Sequence, residues 1–135
     1  MLAGLQDILV IVTPTELDKF TNLLGNGSEF GISLKYEVQS KPNGLAESLI
    51  IGESFLGGDS CCLILGDNIF NGAGLGRALA KNTNVNGAKV FGYPVKNPSA
   101  YGIAYTNGQG NVIELQEKPK ESHSCLLYTS PSPRD

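Results

Sequence analysis

Asp67 is the residue whose type and position could do chemistry most directly. The run Cys61-Cys62-Leu63-Ile64-Leu65-Gly66-Asp67-Asn68 reads as a short buried strand that ends in a glycine and a carboxylate. Apolar side chains on both faces of such a strand imply a parallel sheet covered by helices, and open sheets of that kind bind ligands beyond the carboxyl ends of their strands. A carboxylate there can give one or two oxygens to Mg²⁺, with water and substrate phosphates completing the octahedron. Gly-Asp also suits a plain turn, so the motif alone leaves a structural reading open. A second group is Glu117-Lys118-Pro119, an acid and a base held beside a rigid proline; by spacing alone a surface ion pair is the simpler reading. The third is Gly72-x-Gly74-x-Gly76, which lacks the spacing of a dinucleotide fingerprint and the Lys-Ser/Thr of a phosphate loop, and so reads as a flexible loop.

Thiol and imidazole chemistry find little support. Cys61 and Cys62 are neighbours pointing to opposite faces of the expected strand, and no cysteine spacing resembles a zinc site. They read as buried structural thiols. His123 is the only histidine and lies near a tail without hydrophobic period, which disfavours a Ser-His-Asp or Cys-His mechanism.

The elements that must position these residues alternate. Residues 7–12 form a continuous apolar strand, followed by a helix capped by Thr15, with Leu17, Phe20, Leu23 and Leu24 at helical spacing and Gly25 as its stop. In the next segment Ile32, Leu34, Tyr36 and Val38 alternate with Ser33, Lys35, Glu37 and Gln39, the period of a second strand. A helix over 45–55 and the 61–65 strand follow, then a helix over 77–81 and a strand over 89–95. Residues 101–106 and 111–116, joined through Asn107-Gly108-Gln109-Gly110, read as a β-hairpin. The order strand, helix, strand, helix, strand predicts an α/β chain: a Rossmann-like, doubly wound, mostly parallel sheet with a β-hairpin.

At 135 residues with 41% hydrophobic and 17% charged content, the chain has the size and composition of about one soluble domain with a core. A net charge of −3 offers no electrostatic case for nucleic acid or an anionic membrane. No apolar run approaches the roughly 20 residues of a membrane span, and the expected compartment is the cytoplasm.

Several segments taken in order resemble one family. They are Ala3-Gly4-Leu5-Gln6-Asp7-Ile8-Leu9, Thr13-Pro14, Leu23-Leu24-Gly25-Asn26-Gly27-Ser28, residues 39–46, residues 65–70, Tyr101-Gly102 and Glu117-Lys118-Pro119. The set is similar to glucose-1-phosphate thymidylyltransferases, within the sugar nucleotidyltransferases. The resemblance implies a reaction of dTTP with glucose 1-phosphate to give dTDP-glucose and pyrophosphate, the entry to deoxysugars such as rhamnose, with Mg²⁺ as cofactor and a homotetrameric parent. It implies that Gln39 and Gly44 recognise thymine, that Asp67 holds Mg²⁺, and that Leu65 lies with Asp67 in the substrate-binding set. Gly102 would lie against the sugar, Glu117 would accept hydrogen bonds from its hydroxyls, and Lys118 would contact the sugar phosphate. Asp67 and Lys118 are the catalytic candidates on this reading.

The chain also departs from the pattern. The family's opening Gly-Gly-x-Gly-x-Arg-Leu-x-Pro loop does not occur, Met1 reads as an internal methionine, and the matching segments stop near Lys120, short of the family's second metal-binding aspartate. Residues 1–120 are therefore expected to be a partial nucleotidyltransferase domain truncated at both ends. Residues 121–135 are expected to be a non-family tail, of which 125–135 resemble a translated sequencing adapter and are set apart from the fold. A truncated chain of this kind is expected to be poorly soluble and to show no turnover. The alternatives are a sugar-1-phosphate nucleotidyltransferase using UTP, GTP or ATP, or a non-catalytic nucleotide-sugar-binding module.

Overall fold

The computed structural model describes residues 4–82, 85–120 and 126–127. They fall into two compact units, one from residues 4–63 and 70–82, the other from 64–69, 85–120 and 126–127.

In the first unit the apolar stretch Asp7–Val12 is β1, rich in the branched residues that suit a pleated strand. It pairs in parallel with β2, Ser33–Val38, from Asp7 opposite Ser33 to Val12 opposite Val38. The ladder continues past both ends, through Ser33 N–H to Gln6 O at 2.8 Å and Gln39 N–H to Val12 O at 2.9 Å. The alternation of β2 is realised as burial, with Leu34, Tyr36 and Val38 half-buried and Ser33, Lys35 and Glu37 exposed. Between them runs α1, Leu17–Leu24, as expected from its apolar spacing.

Its start corrects the sequence reading. Glu16, not Thr15, is the capping position, and no side chain caps it; the Thr15 hydroxyl instead lies 3.2 Å from that of Thr13. Gly25 ends the helix by donating its N–H to Thr21 O at 2.9 Å, and the Tyr36 hydroxyl on β2 donates to Gly25 O at 2.8 Å. Two residues on, Gly27 is buried at φ +81°, and a Cβ there would meet Leu34 Cγ at 2.7 Å and Ile32 Cγ1 at 2.9 Å. Crowding and a left-handed backbone act together, so Gly27→Ala is expected to destabilise the fold by about 1–3 kcal/mol. A denaturant midpoint unchanged at constant slope would contradict this.

The helix expected over 45–55 is two short helices, α2 (Glu47–Ile51) and α3 (Glu53–Leu56), meeting at Gly52. A Cβ on Gly52 would lie 3.2 Å from Leu9 Cδ2 on β1 and 3.1 Å from Ser48 O. The glycine thus allows the helical segment to approach the strand closely. Beside it, the Lys35 ammonium sits 5.7 Å from the centre of the Phe55 ring. The helix expected over 77–81 is α4, Leu75–Ala80, entered through Gly74 at φ +81°.

The second unit is an antiparallel sheet in the order β3 (Tyr93–Pro94), β6 (Leu126–Leu127), β4 (Gly102–Thr106), β5 (Val112–Glu117). The hairpin of β4 and β5 forms where its turn residues predict it. Asn107 closes the turn by accepting from Gln109 N–H at 3.0 Å and Asn111 N–H at 2.9 Å with one side-chain oxygen, and Gly110 supplies φ +81°. Flanked by β5 and β6, β4 carries the most buried apolar side chains: Ile103 is 0% and Ala104 3% exposed. The strand expected over 89–95 shortens to β3. Leu126 and Leu127, within the segment set apart from the fold, pair with β3 and β4.

The largest correction concerns residues 61–65. No strand forms there among the described residues; Cys61 and Cys62 are exposed free thiols, and Leu63 and Ile64 are 52% and 55% exposed. An apolar run specifies what a strand would bury, but a strand exists only where a neighbour accepts its hydrogen bonds. The described strands include one parallel pair, β1–β2, and three antiparallel pairings.

Candidate functional site

The base-side candidates, Gln39 and Gly44, come together in the first unit. β2 ends at Val38, and the Gln39 N–H bonded to Val12 O continues the β1–β2 ladder one step. This places Gln39 beyond the carboxyl ends of two parallel strands, the position where open α/β sheets take ligands. There Gln39 lines a surface concavity of about 210 Å³ with Thr13, Pro14, Ser40, Lys41 and Pro42. The Gln39 amide nitrogen donates to Gly44 O at 3.2 Å and to Glu47 Oε2 at 2.6 Å. Gly44 has φ +94° and open space where a Cβ would stand, so its backbone takes a turn that side chains disfavour.

Glu47 is the residue the sequence reading missed. Its other oxygen accepts from Asn43 Nδ2 at 2.8 Å, so one carboxylate ties Asn43 and Gln39 together. The i, i+4 spacing of Asn43 and Glu47 was the available signal. The Asn43 amide first, and the Gln39 amide second, hold the Glu47 carboxyl below its usual range, with burial opposing them. A depressed folded-state pKa contributes stability that is present above the ordinary glutamate range and lost as pH falls through the folded value. We therefore expect the 39–47 loop to keep its bonds through mild acid and release them below the usual glutamate midpoint. Following the Glu47 carboxyl carbon by NMR checks this, and a midpoint at or above that of an unstructured glutamate would refute it.

The sugar-side candidates share the second unit. Gly102 and Glu117 are direct cross-strand partners on the β4–β5 hairpin, and both have their backbones fixed by that ladder. Lys118 follows at φ +45°, the one non-glycine in the left-handed region among the described residues. Its N–H donates to Tyr101 O at 2.9 Å, and Pro119 behind it is buried. A strained backbone held in this way is a feature that clusters at functional sites. Glu117 and Lys118 form no ion pair with each other; among the described residues the ion pair is Lys19 with Glu16 at 2.9 Å.

Leu65 and Asp67 also belong to the second unit. Leu65 O accepts from Asn68 N–H at 3.1 Å, closing a turn that carries Asp67 exposed. No group of three or more His, Cys, Asp or Glu residues that could hold a metal occurs among the described residues. A single exposed carboxylate still fits Mg²⁺ chemistry, because that ion is commonly held by one or two carboxylates while substrate phosphates and water fill the rest.

Gln39 stands beyond the carboxyl ends of a parallel β1–β2 pair, and a β-hairpin carries Glu117-Lys118-Pro119 at its end. The chain belongs to the nucleotidyl transferase family, whose model matches residues 1–130. Among curated relatives, the glucose-1-phosphate thymidylyltransferase of Mycolicibacterium smegmatis is 47% identical over 124 residues, 92% of this chain and 43% of the relative. That of Neisseria meningitidis is 47% identical over 130 residues, 96% of this chain and 45% of the relative. The chain thus spans less than half the length of these two relatives. A solved Bacillus anthracis structure described as a glucose-1-phosphate thymidylyltransferase in complex with a sucrose superposes with a TM-score of 0.82. Its identity is 35%, covering 94% of this chain and 51% of the other. The likeness confirms the Rossmann-like α/β fold class.

Proposed function

We propose that the protein to which this sequence belongs is a glucose-1-phosphate thymidylyltransferase, joining dTTP and glucose 1-phosphate into dTDP-glucose with release of pyrophosphate. The observation that carries the reading is 47% identity to enzymes of that name over 92–96% of the chain. In the reaction a sugar-phosphate oxygen forms a bond to the nucleotide α-phosphorus as the bond from that phosphorus to the β-phosphate bridge breaks, and pyrophosphate leaves with the electron pair. Charge on phosphate oxygens is what the protein must offset, and positioning does most of the work.

On this reading Gln39 and Gly44 hold the thymine, Gly102 gives the sugar room against backbone, and Glu117 accepts from its hydroxyls. Lys118 gives its ammonium to the sugar phosphate, and Leu65 lies beside the substrate. Nucleotidyl transfer generally calls on a divalent metal, and Mg²⁺ held by Asp67 would supply charge neutralisation at the phosphates when bound. A cytoplasmic location and a homotetrameric assembly belong to the same proposal; for its part, no helix among the described residues is long and apolar enough to cross a membrane.

The test is pyrophosphate release in a protein of the relatives' full length carrying this sequence, with dTTP compared against UTP, GTP and ATP. Preference for dTTP with glucose 1-phosphate is expected, and preference for another triphosphate would replace the reading. In the same assay Asp67→Asn, which keeps shape but removes the charge, should lower kcat/KM by about 10²-fold and shift the Mg²⁺ dependence to higher concentration. A variant with the wild-type Mg²⁺ curve would remove Asp67 from the metal role.

A further inference from the structure

We propose that Glu47 is a positioning residue that locks the Gln39 amide with its carbonyl oxygen turned to the ligand, making Gln39 an acceptor for a ring N–H of the base. The inference rests on the nucleotide-binding reading of the Gln39 concavity. A glutamine amide has two faces, a donor and an acceptor, and can exchange them by a half-turn about its last bond. Here the exchange is blocked by chemistry. Both groups facing one end of the Gln39 amide, the Glu47 carboxylate at 2.6 Å and the Gly44 carbonyl at 3.2 Å, are acceptors without a proton to give. The nitrogen must therefore face them. A flipped amide would set its oxygen against a carboxylate oxygen. Glu47 is itself kept in place by Asn43 Nδ2 at 2.8 Å on its other oxygen, and its position on the first turn of α2 ties this loop to a helix.

The consequence is a filter written in one atom. With both of its protons engaged, Gln39 presents an acceptor oxygen, which pairs with the N3–H of a thymine or uracil. The corresponding ring atom of cytosine, N3, and of adenine, N1, is itself an acceptor and meets that oxygen unfavourably. Glu47 reads the base without touching it, by deciding which face of Gln39 the base encounters.

The experiment uses a protein of the relatives' full length carrying this sequence and compares it with its Glu47→Ala and Glu47→Gln variants, the latter keeping an acceptor oxygen at the same reach. Gln39 side-chain amide resonances are recorded by nitrogen-15 NMR, and binding of dTTP and dCTP is measured with Mg²⁺. Unchanged backbone resonances for β1 and β2 show that each variant is folded. In the wild type the Gln39 amide protons should carry the shifts of bonded donors and dTTP should bind in preference to dCTP. Glu47→Ala should lose those shifts and narrow the dTTP-to-dCTP preference by about tenfold, with Glu47→Gln restoring most of it. A preference unchanged in Glu47→Ala, with dTTP still bound, overturns the role of Glu47 and leaves the nucleotide reading standing. Failure of every form to bind either nucleotide removes the nucleotide reading, and the proposal with it.

Discussion

Replacing Lys118 by methionine is expected to cost about 10²–10³-fold in kcat/KM for nucleotidyl transfer while leaving the fold intact. The side chain loses its ammonium and keeps its length. The magnitude is that of removing one preorganised charge from a site where charge develops on phosphate oxygens. Placement is what gives the lysine this weight. Its backbone sits at φ +45° directly after a strand whose last residue, Glu117, is locked opposite Gly102, and its N–H is held by Tyr101 O at 2.9 Å. Such a backbone costs about 1–3 kcal/mol for a residue with a Cβ, and a structure retains it where the side chain is wanted in that direction.

A second variant separates the two effects. Lys118→Gly relieves the left-handed strain, which offsets the roughly 0.5–1 kcal/mol of extra chain entropy that glycine loses on folding. Its thermal stability should therefore stay within about 1 kcal/mol of the parent while its activity falls as far as that of Lys118→Met. Full activity in either variant would take Lys118 out of the site. A large stability loss in Lys118→Gly would show that the lysine side chain is structural.

Ile103→Ala should be the most destabilising single truncation of an apolar side chain in the hairpin sheet, at about 2–5 kcal/mol. Ile103 is 0% exposed, and its strand is flanked on both sides, by β5 and by β6. Deleting its branched side chain removes buried surface and leaves a void that the paired neighbours cannot close by sliding, because the register fixes them. Chemical denaturation checks the value. Ile113→Ala, at a position 69% exposed on β5, is the control and should change stability by less than about 0.5 kcal/mol. Equal losses at the two positions would contradict the assignment of Ile103 as a core residue.

Local order was the legible part of this sequence. β1 was readable as an apolar run, β2 from its strict alternation, α1 from Leu17, Phe20 and Leu24, and the hairpin from Asn107 to Gly110, because each pattern is written within a few residues, while β1 and β2 also found partners in each other. The family was legible too, since the ordered motifs that resemble thymidylyltransferases agree with a family match over residues 1–130. Residues 61–65 show the limit of such reasoning. Their composition is that of a buried strand, yet strand formation depends on hydrogen-bonding partners brought from elsewhere in the chain, and the described residues supply none there.

The candidate site divides along the same line. Sequence alone determined which residue types stand at positions 39, 44, 67, 102, 117 and 118, and by resemblance what each would do. Only the tertiary structure decided that Glu47 and Gly44 take both protons of the Gln39 amide, that Gly102 faces Glu117 across a ladder, and that Lys118 is the one non-glycine described residue with a left-handed backbone. The reason is physical. A side chain's chemistry is intrinsic, whereas the direction it presents is set by hydrogen-bond partners and backbone angles that depend on the packed arrangement around it.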